Sequence, residues 1–197
     1  MKKFIFAVAA TCTLATGANA QIQKGNIMIG STLSNLSFGI DKPNEFTFNL
    51  SPKAAWFIRN GLAVGGEIDF GLATRSGGGT DINYGISALG RYYGETGANQ
   101  VVRSSRFFGE ATAGISGYNP STGDNTNGFG FSFGPGFTYF VTPTIGLEAL
   151  VKYNGVLGFG SSAYAHYLNL GIGFQIYLPG KRTAQKVQKD MDVEEDD

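Results

Sequence analysis

Between Phe46 and Leu72 the chain runs FTFNLSPKAAWFIRNGLAVGGEIDFGL, two stretches of alternating apolar and polar residues flanking Arg59-Asn60-Gly61. A period of two belongs to a β-strand, whose side chains point to opposite faces in turn. Asn-Gly is a strong hairpin signal, because a type I′ turn requires positive φ at both central residues. The stretch therefore predicts two antiparallel strands joined at Asn60 and Gly61. On the first arm Phe46, Phe48, Leu50, Pro52, Ala54 and Trp56 share one face, and Thr47, Asn49, Ser51, Lys53 and Ala55 the other. On the second arm Leu62, Val64, Gly66, Ile68, Phe70 and Leu72 oppose Ala63, Gly65, Glu67, Asp69 and Gly71.

The polar face is the more constraining of the two. A strand face in water would carry many Lys and Glu. This one is Gly, Ala, Ser and Asn with isolated charges, which suits the crowded inside of a narrow barrel. The apolar face then looks outward into lipid. Each arm holds about 11 residues of pattern, and a tilted membrane-spanning strand needs about 9–11. Soluble eight-stranded barrels such as lipocalins turn the apolar face inward around a ligand. That arrangement needs a charged outer surface, and charged residues are only 15% of this chain, against about 25% in typical domains.

Glycine supplies 30 of 197 residues and aromatics 13%. No stretch of 18 apolar residues follows the N-terminal segment, so no helical span is expected. Residues 1–20 have the form of a secretory signal peptide: Lys2 and Lys3, an apolar core from Phe4 to Leu14, and a small-x-small site at Ala18-Asn19-Ala20. Cys12 lies inside it, so the mature chain is expected to form no disulfide and no Cys-based metal site. Residues 21–180 carry nine charges of each sign, so nothing points to nucleic acid. Residues 181–197 are basic, then acidic, lack apolar periodicity, and are expected to form a disordered periplasmic tail.

Further alternating segments are expected at 25–35, 81–93, 106–118, 128–140, 144–154 and 163–178. In the clearest, Phe129, Phe131, Phe133, Pro135, Phe137 and Tyr139 alternate with Gly130, Ser132, Gly134, Gly136 and Thr138. Pro135 lacks a ladder donor, so a bulge or weak pairing is expected there. The total is eight strands, the even number that single-chain outer-membrane barrels have. Longer loops are expected at 36–45, 74–81, 118–127 and 155–162, on the extracellular side. Aromatics gather at two rims: Trp56, Tyr92, Phe107, Tyr139 and Tyr177 below, and Phe46, Phe70, Tyr84, Phe129, Tyr153 and Tyr164 above. Such girdles mark membrane interfaces.

The segments PKAAWFIRNGLAVGGEI (52–68), YFVTPTIGLEALVKY (139–153) and LNLGIGFQIYL (168–178) resemble the outer-membrane β-barrel domain family, in its small OmpA- and OmpX-like, Bacteroidetes-type members. The resemblance covers about 25–178. It implies an all-β, eight-stranded antiparallel up-and-down transmembrane barrel in a Gram-negative outer membrane, secreted through the inner membrane. No peptidoglycan-binding domain of the kind that follows the OmpA barrel is expected after 181–197.

The expected interior charges are Lys53, Glu67, Asp69, Arg91, Glu110, Glu148 and Lys152. An eight-stranded barrel is just wide enough for side chains to fill, and buried charges must pair. These residues form either a structural salt-bridge plug or the lining of a narrow gated ion path. His166 is the only histidine, with Ser161 and Ser162 near in sequence. Lipid-modifying barrel enzymes use a His and a Ser, but no His-x-Ser spacing exists here, and a rim histidine is the expectation. One His and no mature Cys give no metal site. Residues 77–79 lack the context of a phosphate loop. The functional expectation is a non-enzymatic integrity or surface-interaction barrel without cofactor. Its partners are outer-membrane lipid and a surface or periplasmic protein, and it is a monomer. The alternatives are a small porin and an adhesin acting through the extracellular loops.

Overall fold

The alternating segments pair in sequence order around a closed ring. The computed structural model describes residues 22–38, 45–75, 77–94, 104–122, 125–159 and 164–180. Its elements are β1 (Ile27–Phe38), β2 (Glu45–Arg59), β3 (Leu62–Arg75), β4 (Thr80–Tyr93), β5 (Ser105–Asn119), β6 (Thr126–Thr142), β7 (Ile145–Gly158) and β8 (Tyr164–Leu178). Each strand is antiparallel to the next, and β1 pairs with β8 to close the barrel. Closure leaves no free edge, which a sheet surrounded by lipid could not tolerate. The expected signal segment 1–20 and the tail 181–197 lie outside the described residues.

Ile27 opens β1 beside Leu178, which ends β8. That end of the barrel, here the near end, also carries the turns at Asn60–Gly61 and Pro143–Thr144. The Asn60–Gly61 turn is not the predicted type I′. Gly61 has φ +76°, but Asn60 does not take a positive φ. The pairing shifts between Phe57 and Arg59 opposite Ala63 and Leu62, and this extra residue supplies the twist that a type I′ turn would have supplied. Only the left-handed glycine is then needed. Contacts from outside the hairpin hold the turn. Gly61 N donates to Ile22 O at 2.8 Å, and Lys24 N donates to Asn60 Oδ1 at 2.9 Å.

At the far end the strands outrun the sequence pattern. β3 continues to Arg75, β5 to Asn119 and β7 to Gly158, into segments expected as loops. Ladder hydrogen bonds are made by the backbone, so pairing persists where apolar alternation has faded. Pro135 opposite Gly109 interrupts the β6–β7 ladder between Phe133 and Gly136 without altering its register, so it weakens pairing but makes no bulge. Pro52 does the same between Leu50 and Lys53 on β2. Both point outward.

Polarity is inverted relative to a soluble protein. Ile68, Ile86, Leu168, Leu170 and Ile172 are exposed on the outer face, while Lys53, Glu67, Arg91, Glu110 and Glu148 are buried within.

Candidate functional site

Register decides which interior charges meet. Lys53 on β2 lies opposite Glu67 on β3, and Arg91 on β4 lies opposite Glu110 on β5. Glu148 and Lys152 reach in from β7. Lys53 Nζ is 2.6 Å from Glu67 Oε2 and 2.9 Å from Glu110 Oε1. Lys152 Nζ closes the ring, at 2.7 Å from Glu67 Oε1 and 3.1 Å from Glu110 Oε1. Arg91 joins this ring to Glu148, with Nη2 at 2.5 Å from Glu110 Oε2 and Nη1 at 2.6 Å from Glu148 Oε1. Lys53 and Glu67 make a charge contact rather than an aligned hydrogen bond, since Glu67 Oε2 has no hydrogen-bond partner. Three cations thus offset three carboxylates in one connected network. Removing such groups from water costs several kcal/mol per ion, which is recovered only when pairing and hydrogen bonding are complete. Glu148 meets that requirement further, accepting from Thr138 Oγ1 at 3.0 Å, Gln175 Nε2 at 3.2 Å and Tyr177 OH at 3.3 Å.

Below the charges, toward the near end, the bore is aromatic. Tyr93 OH and Tyr177 OH are 2.7 Å apart, and Arg91 Nη1 donates to Tyr93 OH at 2.9 Å. Phe57, Phe108 and Phe140 pack around this pair, with ring centroids 5.9 Å (Phe57–Tyr93), 5.5 Å (Tyr93–Phe108) and 5.3 Å (Phe140–Tyr177) apart. The Arg91 guanidinium lies 4.1 Å from the Phe108 ring centroid, a cation–π contact. Ile22 packs against the same cluster from the N-terminal side. Ring packing and ion pairs leave Arg91, Glu110, Tyr93 and Tyr177 buried at this level.

Sequence reasoning missed this aromatic layer, and Tyr177 is a correction. It was expected as a rim aromatic facing lipid, yet it is only 2% exposed and points into the bore. Strand parity explains it, because Gln175 is an inward residue of β8 and Tyr177 follows two positions later. The overlooked signal is a set of aromatic doublets at the near ends of the strands: Trp56-Phe57, Tyr92-Tyr93, Phe107-Phe108 and Tyr139-Phe140. In each, the first ring is exposed on the outer face and the second is buried inside. Alternation breaks there because both faces are apolar. Toward the far end Phe70, Tyr84 and Phe129 are exposed on the outer face. Tyr153 packs there against Phe133, with centroids 5.3 Å apart. The Tyr164 side chain lies outside the described residues.

Above the network the bore widens into a cavity of about 500 Å³, lined by Asn, Ser and Thr side chains, by Glu67, Asp69 and Lys152, and by apolar and aromatic groups such as Phe131, Leu150, Val156 and Tyr167. Asp69 was expected among the interior charges. It faces in but stands apart from the ion-pair network, its hydrogen bond coming from Ser51 Oγ at 2.7 Å. His166 is exposed, and its Nδ1 shares a short hydrogen bond with Tyr153 OH; Ser161 and Ser162 lie outside the described residues. Among the described residues no group of three or more His, Cys, Asp or Glu is placed to hold a metal ion.

No family model matches the chain, and no curated protein does. Among solved structures, Neisserial surface protein A is similar at 17% identity and a TM-score of 0.52, covering 77% of this chain and 95% of its own. The outer-membrane protein OprG of Pseudomonas aeruginosa is 11% identical over 80% of this chain and 98% of its own, with a TM-score of 0.49. The N-terminal β-barrel domain of P. aeruginosa OprF is 12% identical over 79% and 98%, with a TM-score of 0.48. The likeness is one of fold. The chain has the architecture of the small eight-stranded outer-membrane barrels, as the OmpA- and OmpX-like resemblance implies.

Proposed function

We propose that this protein is a closed outer-membrane barrel, with the near end and both termini in the periplasm and the far end outside. Its role is in envelope integrity or surface interaction, and it neither conducts nor catalyses. One observation carries the reading: the ring of Lys53, Glu67, Glu110 and Lys152, the Arg91–Glu148 arm and the Tyr93–Tyr177 layer together fill the bore. An ion would have to part several buried charge pairs and then pass a packed aromatic layer. The apolar outer face supports the membrane setting. The runner-up, a gated porin, draws on the cavity that reaches Lys152 from the far side.

Refolded protein in planar bilayers tests the two. The closed barrel gives no steady conductance. A stable open-channel signal that changes in Glu67→Gln or Lys152→Met protein would put the porin in its place.

A further inference from the structure

We infer that the far cavity is a binding site for a small polyhydroxylated molecule bearing a primary ammonium group, of the amino-sugar class, with Asp69 as its charge partner. The inference concerns the cavity alone and holds whether or not the bore below conducts.

The charge argument comes first. Six interior charges neutralise one another in the network, and Asp69 faces in outside it; Asp81 and Arg106 are buried too, Asp81 at 3.6 Å from Arg75. The two nearby lysines are engaged, Lys152 by Glu67 and Glu110 and Lys53 by the same two carboxylates. Asp69 receives a neutral hydroxyl hydrogen bond from Ser51 instead. It lines a cavity of about 500 Å³, within the span of about 300–1,000 Å³ usual for small-molecule sites. A carboxylate facing such a space favours a cation.

The second argument is the shape of the acceptors. Gly71 follows Asp69 by two residues on the same face, and it pairs with Asn49 on one side and Asn83 on the other. Both amide side chains turn their Oδ1 atoms toward the place a Cβ of residue 71 would occupy. Two side-chain amides thus meet across a glycine, where each can turn its oxygen to a ligand. The tiers are about 7 Å apart along the strand, so the carboxylate and the amide oxygens fall within reach of one small molecule. An ammonium group has three donors and no acceptor, which suits this set of oxygens. The remaining wall mixes hydrogen-bonding groups, among them Thr47, Asn154 and Asn169, with apolar ones, Phe131, Leu150, Val156 and the Tyr167 ring, and Lys152 reaches it from below. Hydroxyl groups on the ligand match the first three, and a sugar face matches the ring.

The test is NMR titration of the full chain refolded in detergent micelles, following the Asn49 and Asn83 side-chain amides. Glucosamine is the probe, with N-acetylglucosamine as its neutral counterpart and calcium chloride as a bare cation. The expected result is saturable shifts with glucosamine and none with the other two. Asp69→Asn weakens binding about tenfold or more, the scale of a lost charge-assisted hydrogen bond. Gly71→Ala keeps the carboxylate, but its methyl displaces two flexible amides, and it also weakens binding. If Asp69→Asn does not refold, the Gly71→Ala protein decides: a folded barrel that binds glucosamine undiminished overturns the proposal. So does the absence of saturable shifts, an equal response to N-acetylglucosamine, or the same shifts produced by calcium.

Discussion

The two halves of the bore share one wall and one strand pattern, yet they are built in opposite ways. The near half is filled: ion pairs from Lys53 to Glu148, then the rings of Tyr93, Tyr177, Phe57, Phe108 and Phe140. The far half is lined by Ser, Thr, Asn and Gly together with larger groups such as Tyr118, Leu150 and Tyr167, and holds a cavity of about 500 Å³. What differs is the volume and charge of the inward residue at each tier. A barrel of this girth has no spare room where that residue is Arg or Tyr, and considerable room where it is Ser or Gly. The near half spans the interior with strong contacts, while the far half leaves polar groups facing a space.

Substitutions in each half sharpen this contrast. The largest effect is expected for Arg91→Ala, which leaves Glu110 and Glu148 buried without the cation that joins them. Losing one partner of a buried ion pair costs about 3–5 kcal/mol. The low end applies, since Lys53 and Lys152 still serve Glu110, and Thr138 and Gln175 still serve Glu148. Urea unfolding of the refolded barrel, followed by fluorescence of the single tryptophan, Trp56, measures it. An unchanged midpoint would mean that the ion pairs do not hold the near half together. Tyr177→Phe keeps the ring packing and removes the hydroxyl that meets Tyr93 and Glu148. The expected loss is about 1 kcal/mol in the same assay. A loss as large as that of Arg91→Ala would shift the weight of the seal from charge to the tyrosine pair. The smallest effect is expected in the far half. Thr47→Ala, on the cavity wall, is expected to change stability by no more than about 0.5 kcal/mol. A cost near that of Tyr177→Phe would show the far half to be as tightly coupled as the near half and break the comparison.

The alternation that marks the wall was plain in the chain because each strand carries it locally. Phe129 to Tyr139 shows it without reference to any partner. The interior was only half visible. Lys53, Glu67 and Arg91 stand out because charge is rare in such a strand. Phe57, Phe108 and Tyr177 did not, because an aromatic at a strand end suits a lipid rim as well as a bore, and only continued parity tells the two apart. The Asn60–Gly61 turn shows the same limit. The dipeptide marks the hairpin, but the turn type followed from a bulge at Phe57–Arg59 and from hydrogen bonds to Ile22 and Lys24.

By itself, then, the sequence determined eight strands, their two faces and the rarity of interior charge, all properties written at a spacing of two residues. Tertiary structure alone decided which charges meet, because partners such as Arg91 and Glu148 lie on strands far apart in the chain and are joined across the bore by its closure. It also decided that Asp69 is left outside the neutral network and that a space opens beside it. Local pattern sets which way a side chain points; the closed ring sets what it finds there.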